Sequence, residues 1–167
     1  AHSFLGKEEE GSLEVEAYAT ALSRSVMNAT VAYRISFVNR GREAISLIQV
    51  HGDVTTAHGQ VPTTQQLADT EQAFPELHQL ARLEPGQRSV VRGELRIPLS
   101  EVRALRQGTV PVFVPLLRLT VRAANLKPRA YTYVIGAKPL ERGARPNPFR
   151  LDEGPRSYGQ LTTRALA

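Results

Sequence analysis

The chain of 167 residues contains no cysteine and no tryptophan, and it has a single methionine. Without cysteine there can be no disulfide framework, thiol nucleophile or thiolate metal site. No hydrophobic run approaches the roughly 20 apolar residues that a membrane-spanning helix needs. The first ten residues, AHSFLGKEEE, also lack the apolar core of a signal peptide. The sequence therefore predicts a soluble chain, and its length fits one domain with its own core.

Sequence motifs of enzymes are also missing. The serines lie in no G-x-S-x-G pattern, and no stretch has the glycine spacing of a phosphate loop or a dinucleotide fingerprint. His51, Asp53 and His58 lie close together at the end of a predicted strand, so a metal or acid-base site there is conceivable. Their spacing matches no ligand motif, and Asp152-Glu153 has no second carboxylate pair with which to bind calcium. We therefore expect a protein that is not an enzyme, with no catalytic residue, no metal and no cofactor.

Charge is distributed unevenly along the chain. Residues 1–79 carry 5 Lys or Arg against 10 Asp or Glu, whereas residues 80–167 carry 16 against 6. Such asymmetry can indicate a nucleic-acid or anionic-membrane partner. However, 18 of the 21 cationic residues are arginines dispersed through predicted strands, without the interleaved aromatic residues of a nucleic-acid platform. We expect no nucleic-acid partner.

Period-two alternation of apolar and polar residues predicts most of the strands. The pattern is clearest where Val31, Tyr33, Ile35 and Phe37 alternate with more polar neighbours. Similar stretches begin at Leu13, Arg88 and Ala130, whereas Ala44 to Val50 is nearly continuously apolar and predicts a strand covered on both faces. Shared faces of these strands predict a buried core, which includes Val31, Tyr33, Ile35, Phe37, Val91, Leu95, Leu117 and Leu119.

The longest apolar run is Thr109 to Ala123, TVPVFVPLLRLTVRA, and its composition is typical of a strand covered on both faces. Pro111 and Pro115 cannot donate to a strand ladder, so we expect an edge or a bulge, with a bend near Pro115. Short helices are predicted near Thr64 to Phe74 and from Ser100 to Arg106.

About seven strands separated by turn signals predict an all-β fold, an immunoglobulin-like antiparallel β-sandwich with one or two short helices. A seven-stranded barrel is the alternative architecture. We assign residues 1–12 to a flexible lead-in, 13–137 to the sandwich, and 138–167 to an irregular C-terminal segment that is partly docked on it.

The C-terminal segment is rich in proline and glycine, yet it carries Phe149, Leu151, Tyr158 and Leu161 at intervals. Disordered segments are poor in such residues, because they have nothing to bury them against. We therefore expect Pro148 to Leu161 to run along the sandwich and to cover an open edge near the strand that bears the prolines. From Thr162 the chain should be loose.

Two groups of residues resemble known families. Val38-Asn39-Arg40-Gly41, followed by Leu83-Glu84-Pro85-Gly86-Gln87, is similar to the layout of bacterial CARDB-like immunoglobulin-like domains. A second group resembles the C-terminal half of an uncharacterised family of proteobacterial envelope proteins, in which a soluble sandwich domain follows an N-terminal membrane anchor. That group comprises Val112-Phe113-Val114-Pro115-Leu116, Tyr133-Val134-Ile135-Gly136, Pro148-Phe149-Arg150-Leu151-Asp152, Gly154-Pro155-Arg156 and Tyr158.

The resemblance implies a non-enzymatic interaction or structural module of the bacterial envelope. It implies an unidentified protein partner, and association with a membrane only through an anchor that is absent from this chain. The sandwich would be soluble, on either side of that membrane. The alternative is a ligand- or carbohydrate-binding accessory domain, for which Tyr18, Tyr131 and Tyr133 would have to supply exposed aromatic rings. The loop from Asp53 to Glu76 is the first candidate for a contact surface.

Overall fold

The computed structural model describes residues 12–59, 66–139 and 146–166, and it shows an all-β chain. Every strand pairing is antiparallel. The predicted count of about seven strands is too low, since the described residues form twelve. These are β1 (Leu13–Arg24), β2 (Asn28–Asn39), β3 (Ile45–Thr56), β4 (Glu76–Leu83), β5 (Arg88–Pro98), β6 (Leu105–Gln107), β7 (Val110–Phe113), β8 (Pro115–Ala123), β9 (Leu126–Ala137), β10 (Phe149–Arg150), β11 (Arg156–Tyr158) and β12 (Leu161–Leu166).

The strands form two large sheets and one small one. The first sheet has the order β11-β1-β2-β5, the second has the order β12-β9-β8-β3-β4, and the third has the order β10-β7-β6. One cluster of buried apolar side chains joins residues of β1 and β2 with residues of β3, β8 and β9. The two large sheets therefore share a core, which is consistent with a β-sandwich.

Alternation along the strands decides which side chains enter that core. Val91 and Leu95 contact the core but are only partly buried, because β5 is an edge strand of the first sheet. The other predicted core residues are buried, as expected: Val31, Tyr33, Ile35, Phe37, Leu117 and Leu119.

The long apolar run divides into two strands at Val114, which confirms the bend predicted near Pro115. Before this residue, β7 pairs with β6 and β10 in the third sheet. After it, β8 lies between β3 and β9 in the second sheet. Pro111 lacks an N–H group, but its carbonyl oxygen accepts a hydrogen bond of 2.9 Å from the Leu151 amide.

Helical structure is less extensive than predicted. The expected helix from Ser100 to Arg106 is wrong: only Leu99–Glu101 forms a 3-10 turn, it has no side-chain cap, and Leu105 already begins β6. Part of the helix predicted near Thr64 to Phe74 falls in residues 60–65, outside the described residues. From Leu67 to Phe74 the chain forms turns and bends instead. Among the described residues, no helix has the length and apolar character needed to cross a membrane.

The C-terminal segment supplies one strand to each sheet. β10 pairs with β7, β11 pairs with the end of β1, and β12 pairs with β9. Phe149 is fully buried, with its ring centroid 5.6 Å from that of Phe113 and 4.9 Å from that of Tyr158. The expected contact of this segment with the proline-bearing strand is therefore present. The expectation of a loose chain from Thr162 is wrong, because β12 completes the edge beside β9.

Residues 1–11, which make up most of the predicted lead-in, lie outside the described residues. β1 begins at Leu13, and the Ser12 carbonyl oxygen accepts a hydrogen bond of 2.6 Å from the Arg40 amide. β1 is also held at its outer edge, where the Ala19 amide donates a hydrogen bond of 2.9 Å to Oγ1 of Thr163 in β12. The last strand of the chain thus contacts the first, and the two large sheets meet along this side.

Candidate functional site

The conceivable metal or acid-base site at His51 and Asp53 is occupied by an ion pair. Both oxygens of Asp53 accept hydrogen bonds from Arg118, at 2.8 and 2.7 Å, and the two residues are direct neighbours across β3 and β8. The backbone of His58 exchanges hydrogen bonds of 2.8 and 3.0 Å with the side chain of Gln66. Within the described ranges, no three His, Asp or Glu side chains form a group able to hold a metal ion.

The described part of the candidate contact loop lies against the second sheet. We call residues 67–75 the strap. The Ala68 amide donates to Oγ1 of Thr132 at 2.7 Å, and Pro75 accepts from the Gly52 amide at 3.0 Å. Arg122 donates to the Thr70 carbonyl oxygen. These bonds attach the strap at both of its ends and at its middle.

Arg118 connects the strap to the ion pair beneath it. Its guanidinium carbon lies 5.2 Å from the ring centroid of Phe74, and Phe74 is buried. The strap also covers Thr132, which is buried although it points away from the core. The strap is therefore attached to the second sheet at three points, while Asp69, Glu71, Gln72, Ala73 and Pro75 remain exposed.

A second polar contact lies between the large sheets. The hydroxyl oxygen of Tyr33 in β2 is 2.7 Å from Nε2 of His78 in β4, and their rings meet edge to face. Burial raises the pKa of the Tyr33 hydroxyl and lowers the pKa of His78. Gly93 in β5 leaves room for this pair, because a Cβ atom there would lie 2.5 Å from the Tyr33 hydroxyl oxygen.

The tyrosines proposed for carbohydrate binding do not share a surface. Tyr18 is exposed and lies under the guanidinium of Arg34, on the outer face of the first sheet. Tyr133 is buried and stacks on Tyr131, with 6.4 Å between the ring centroids. Burial raises the pKa of the Tyr133 hydroxyl strongly. Of these three residues only Tyr18 is exposed, since Tyr131 is partly buried and the guanidinium of Arg129 lies over its ring.

Among the described residues, the most exposed large apolar side chains form a pair at one end of the first sheet. Val26 is 77% exposed and Met27 is 70% exposed, in the turn between β1 and β2. Oγ of Ser25 accepts hydrogen bonds from the amides of Met27 and Asn28, at 3.2 and 3.0 Å. The Met27 carbonyl oxygen accepts a further bond of 2.8 Å from the Leu99 amide. The turn is therefore held in place while its two apolar side chains face solvent.

A polar cleft of about 510 Å³ lies near the C-terminal strands. Its arginines form ion pairs: Arg150 binds Asp152, and Arg156 binds Glu153, with nitrogen–oxygen distances of 2.8 Å in both. These hydrogen bonds lower the pKa of both carboxyl groups. The cleft also includes Lys138 and Asn147, which flank residues outside the described ranges. The arginines of this cleft are therefore paired with carboxylates of their own segment, two or three positions away in sequence.

No protein-family model matches this sequence, and none of the curated proteins searched matches it. Any function must therefore be argued from the residues of the chain itself.

Sequence reasoning missed both the exposed pair and the contact between the sheets. Ser23 to Asn28 is a mostly polar stretch typical of a turn, and the two adjacent apolar residues in its middle are the only sequence signal of the exposed pair. Tyr33 was predicted to be buried, but no sequence signal pairs it with His78, 45 positions away.

Proposed function

We propose that this chain is a non-enzymatic interaction module of the bacterial cell envelope, which binds an unidentified protein partner. The observation that carries this proposal is the exposed pair Val26 and Met27 on a turn fixed by hydrogen bonds. Exposing apolar surface to water costs free energy, and a rigid turn loses little conformational entropy when a partner covers it. Both properties suit a binding surface.

The positions of the polar side chains support binding over catalysis. Asp53 is held by Arg118, and His78 is held by Tyr33, so both side chains have structural partners. A general base must instead be within reach of a substrate proton, in a cleft that a substrate can enter. The envelope location and the membrane anchor rest on the resemblance of the C-terminal residues alone.

The proposal includes an immunoglobulin-like topology for seven of the twelve strands. The order β1-β2-β5 in one sheet and β9-β8-β3-β4 in the other supports it. Immunoglobulin-like sandwiches likewise pair strands that are not consecutive, in two sheets that share a core. On this interpretation β11 and β12 are additions at the edges of the two large sheets, and β6, β7 and β10 form the separate small sheet.

Affinity purification of the full-length protein from envelope fractions of its native bacterium tests the proposal. A matched purification should use the same protein with Ile35→Asp, because an ionised carboxylate at this fully buried position unfolds the core. We expect at least one protein that co-purifies only with the wild type and binds it in a saturable manner after separate purification. Recovery of the same proteins with both baits would defeat the proposal.

A further inference from the structure

We infer that the partner docks on the tip surface, which we define as Val26 and Met27 together with the adjoining residues 99–103. This inference rests on the proposed function and names the surface that performs it. The two parts of the tip surface are joined by the hydrogen bond of 2.8 Å from the Leu99 amide to the Met27 carbonyl oxygen. Because Asn28 is the register partner of Pro98, the β1–β2 turn and the end of β5 lie side by side.

The tip differs from the other exposed apolar side chains of the described residues. Tyr18 and Val90 are each 40% exposed, and their cross-strand neighbours on the outer face of the first sheet are the polar residues Arg34 and Ser36. Leu47 is 65% exposed but has no exposed large apolar neighbour in sequence. Val26 and Met27 are adjacent and more exposed than any of these. Two adjacent side chains at the end of a hairpin can enter one pocket together, as the central anchors of an interface do.

The charges beside the tip indicate the chemistry of the partner. Arg96 and Arg103 are exposed, and neither has an ion pair within the described part of the chain. One carboxylate, Glu101, lies between them in sequence. Arg24 is near the turn, but its guanidinium donates to the carbonyl oxygens of Arg150 and Glu153. A complementary partner would therefore carry an apolar pocket with an acidic rim.

A second copy of this chain fits the tip less well. A symmetric contact between two tips would bring Arg96 and Arg103 of each copy near those of the other, and like charges across an interface oppose binding. The partner that matches both features is a different protein. Methionine suits such a pocket because its unbranched side chain adapts to irregular shapes.

The experiment uses the full-length protein in its native bacterium, with the photo-crosslinker p-benzoylphenylalanine placed at Val26. Separate strains carry the crosslinker at Leu47, a similarly exposed position beyond the tip, and at Val90 on the outer face of the first sheet. We expect one protein adduct at position 26 that is absent at positions 47 and 90. The captured protein is then purified, and its affinity for the wild type is measured by calorimetry.

The double variant V26S/M27S should weaken that affinity about tenfold or more, as loss of a central anchor does. The matched variant L47S should leave it unchanged. R96Q/R103Q should weaken binding and make it less sensitive to salt, because charges at an interface rim are screened. Circular dichroism of each purified variant distinguishes loss of binding from loss of structure.

Three outcomes would overturn the inference. One is an adduct at position 90 or 47 with none at position 26, which would leave the interaction module standing but move its surface. Another is evidence that the tip surface binds something other than a different protein. This evidence would be an adduct with a second copy of the chain, or binding to phosphatidylglycerol vesicles that V26S/M27S abolishes. The third is an unchanged affinity of V26S/M27S for the captured protein. Absence of adducts at all three positions would count against the proposed function as well.

Discussion

The hydroxyl oxygen of Tyr33 lies 2.7 Å from Nε2 of His78, and this contact joins the two large sheets across the interior. With its proton on Nδ1, a neutral His78 accepts the hydrogen of Tyr33 at Nε2. Tyr33 is 3% exposed, so its hydroxyl group would lose a partner if His78 were removed. The pair therefore links the edge strand β4 to the centre of the first sheet.

Stability should fall in mild acid because of His78. Burial lowers the pKa of His78 in the folded state below its ordinary value of 6.5. The unfolded chain then binds more protons at this site, so the free energy of unfolding decreases as pH falls from about 6.5 toward the folded pKa. Urea unfolding of the wild type at pH 5 and pH 7.5 should show this loss.

His78→Gln is the matched variant, because an amide can still accept the hydrogen bond from Tyr33 but does not titrate. We expect a smaller loss of stability between pH 7.5 and pH 5 in this variant than in the wild type. Carboxylate titration contributes equally to both proteins and cancels in the comparison. An identical loss in both would show that His78 has the same pKa folded and unfolded.

Gly93→Ala should destabilise the fold by about 1–3 kcal/mol, the usual cost of overpacking a filled interior. The added Cβ atom would lie 2.5 Å from the Tyr33 hydroxyl oxygen and 2.8 Å from Cζ. Thermal unfolding provides the measurement. Gly154→Ala serves as the control, since no atom lies within 4 Å of its added Cβ, and it should stay within about 0.5 kcal/mol.

Combining Gly93→Ala with Tyr33→Phe tests the cause of that loss. Removing the hydroxyl oxygen relieves the shortest contact, so the double variant should be more stable than the sum of the two single changes predicts. Strict additivity would place the origin of the strain elsewhere in β5.

The sequence predicted much of the fold because strand alternation is a local property. β1, β2 and β5 were located from period two alone, and Pro115 indicated the bend between β7 and β8. The helix expected after Ser100 failed, because Leu105 to Gln107 finds a strand partner in β7 that no local pattern reveals. Tertiary pairing overrode the local preference there.

Arg118→Gln should loosen the strap. The substitution removes both hydrogen bonds to Asp53 and the contact with the Phe74 ring, at a site where the arginine side chain is only 13% exposed. Amide hydrogen exchange should become faster at Ala68 and Gly52, whose amides bond to Thr132 and to the end of the strap.

Arg92→Gln is the control for Arg118→Gln, because Arg92 is exposed on β5 of the first sheet, whereas the strap lies against the second sheet. Its exchange pattern at Ala68 and Gly52 should match the wild type. Unchanged exchange in Arg118→Gln as well would mean that the backbone bonds hold the strap without the ion pair.

Phe149→Ala should cost about 3–5 kcal/mol, the range for removing a fully buried aromatic ring. Arg164→Ala, in the same segment but exposed, should stay within about 0.5 kcal/mol. A truncation that ends at Pro139 should melt well below the intact chain, since it removes β10, β11 and β12. Equal melting temperatures for the truncated and intact chains would show that these strands add no stability.

Zinc titration by calorimetry should show no stoichiometric binding, because Arg118 holds both oxygens of Asp53 and the described residues contain no group of three His, Asp or Glu side chains that could hold a metal ion. Tight one-to-one binding that His51→Ala abolishes would contradict this expectation. Asp53→Asn offers a further check, since the loss of the charge should not change the result.

The candidate site was less accessible to prediction than the fold. Loop length alone indicated Asp53 to Glu76, but the arginines that contact the strap come from β8. Arg122 donates to Thr70, which lies 52 positions earlier in the sequence, and Arg118 lies over the ring of Phe74. The exposed turn at Val26 was overlooked because exposure is set by what the rest of the chain leaves uncovered. Side-chain identity at one position does not contain that information.

The pairing of β10, β11 and β12 has a consequence for synthesis on the ribosome. Arg24 bonds to residues 126 and 129 positions later, and β1 contacts β12. One edge of β1 therefore stays unpaired until the strands β11 and β12 have been synthesised. Contacts so distant in sequence form slowly. A nascent chain that has emerged only to Ala137 would expose unpaired edges at β1, β7 and β9, where other strands could add. A product terminated before Phe149 would therefore be an aggregation-prone target for chaperones and proteases, whereas a chain that includes β10, β11 and β12 would have these edges covered.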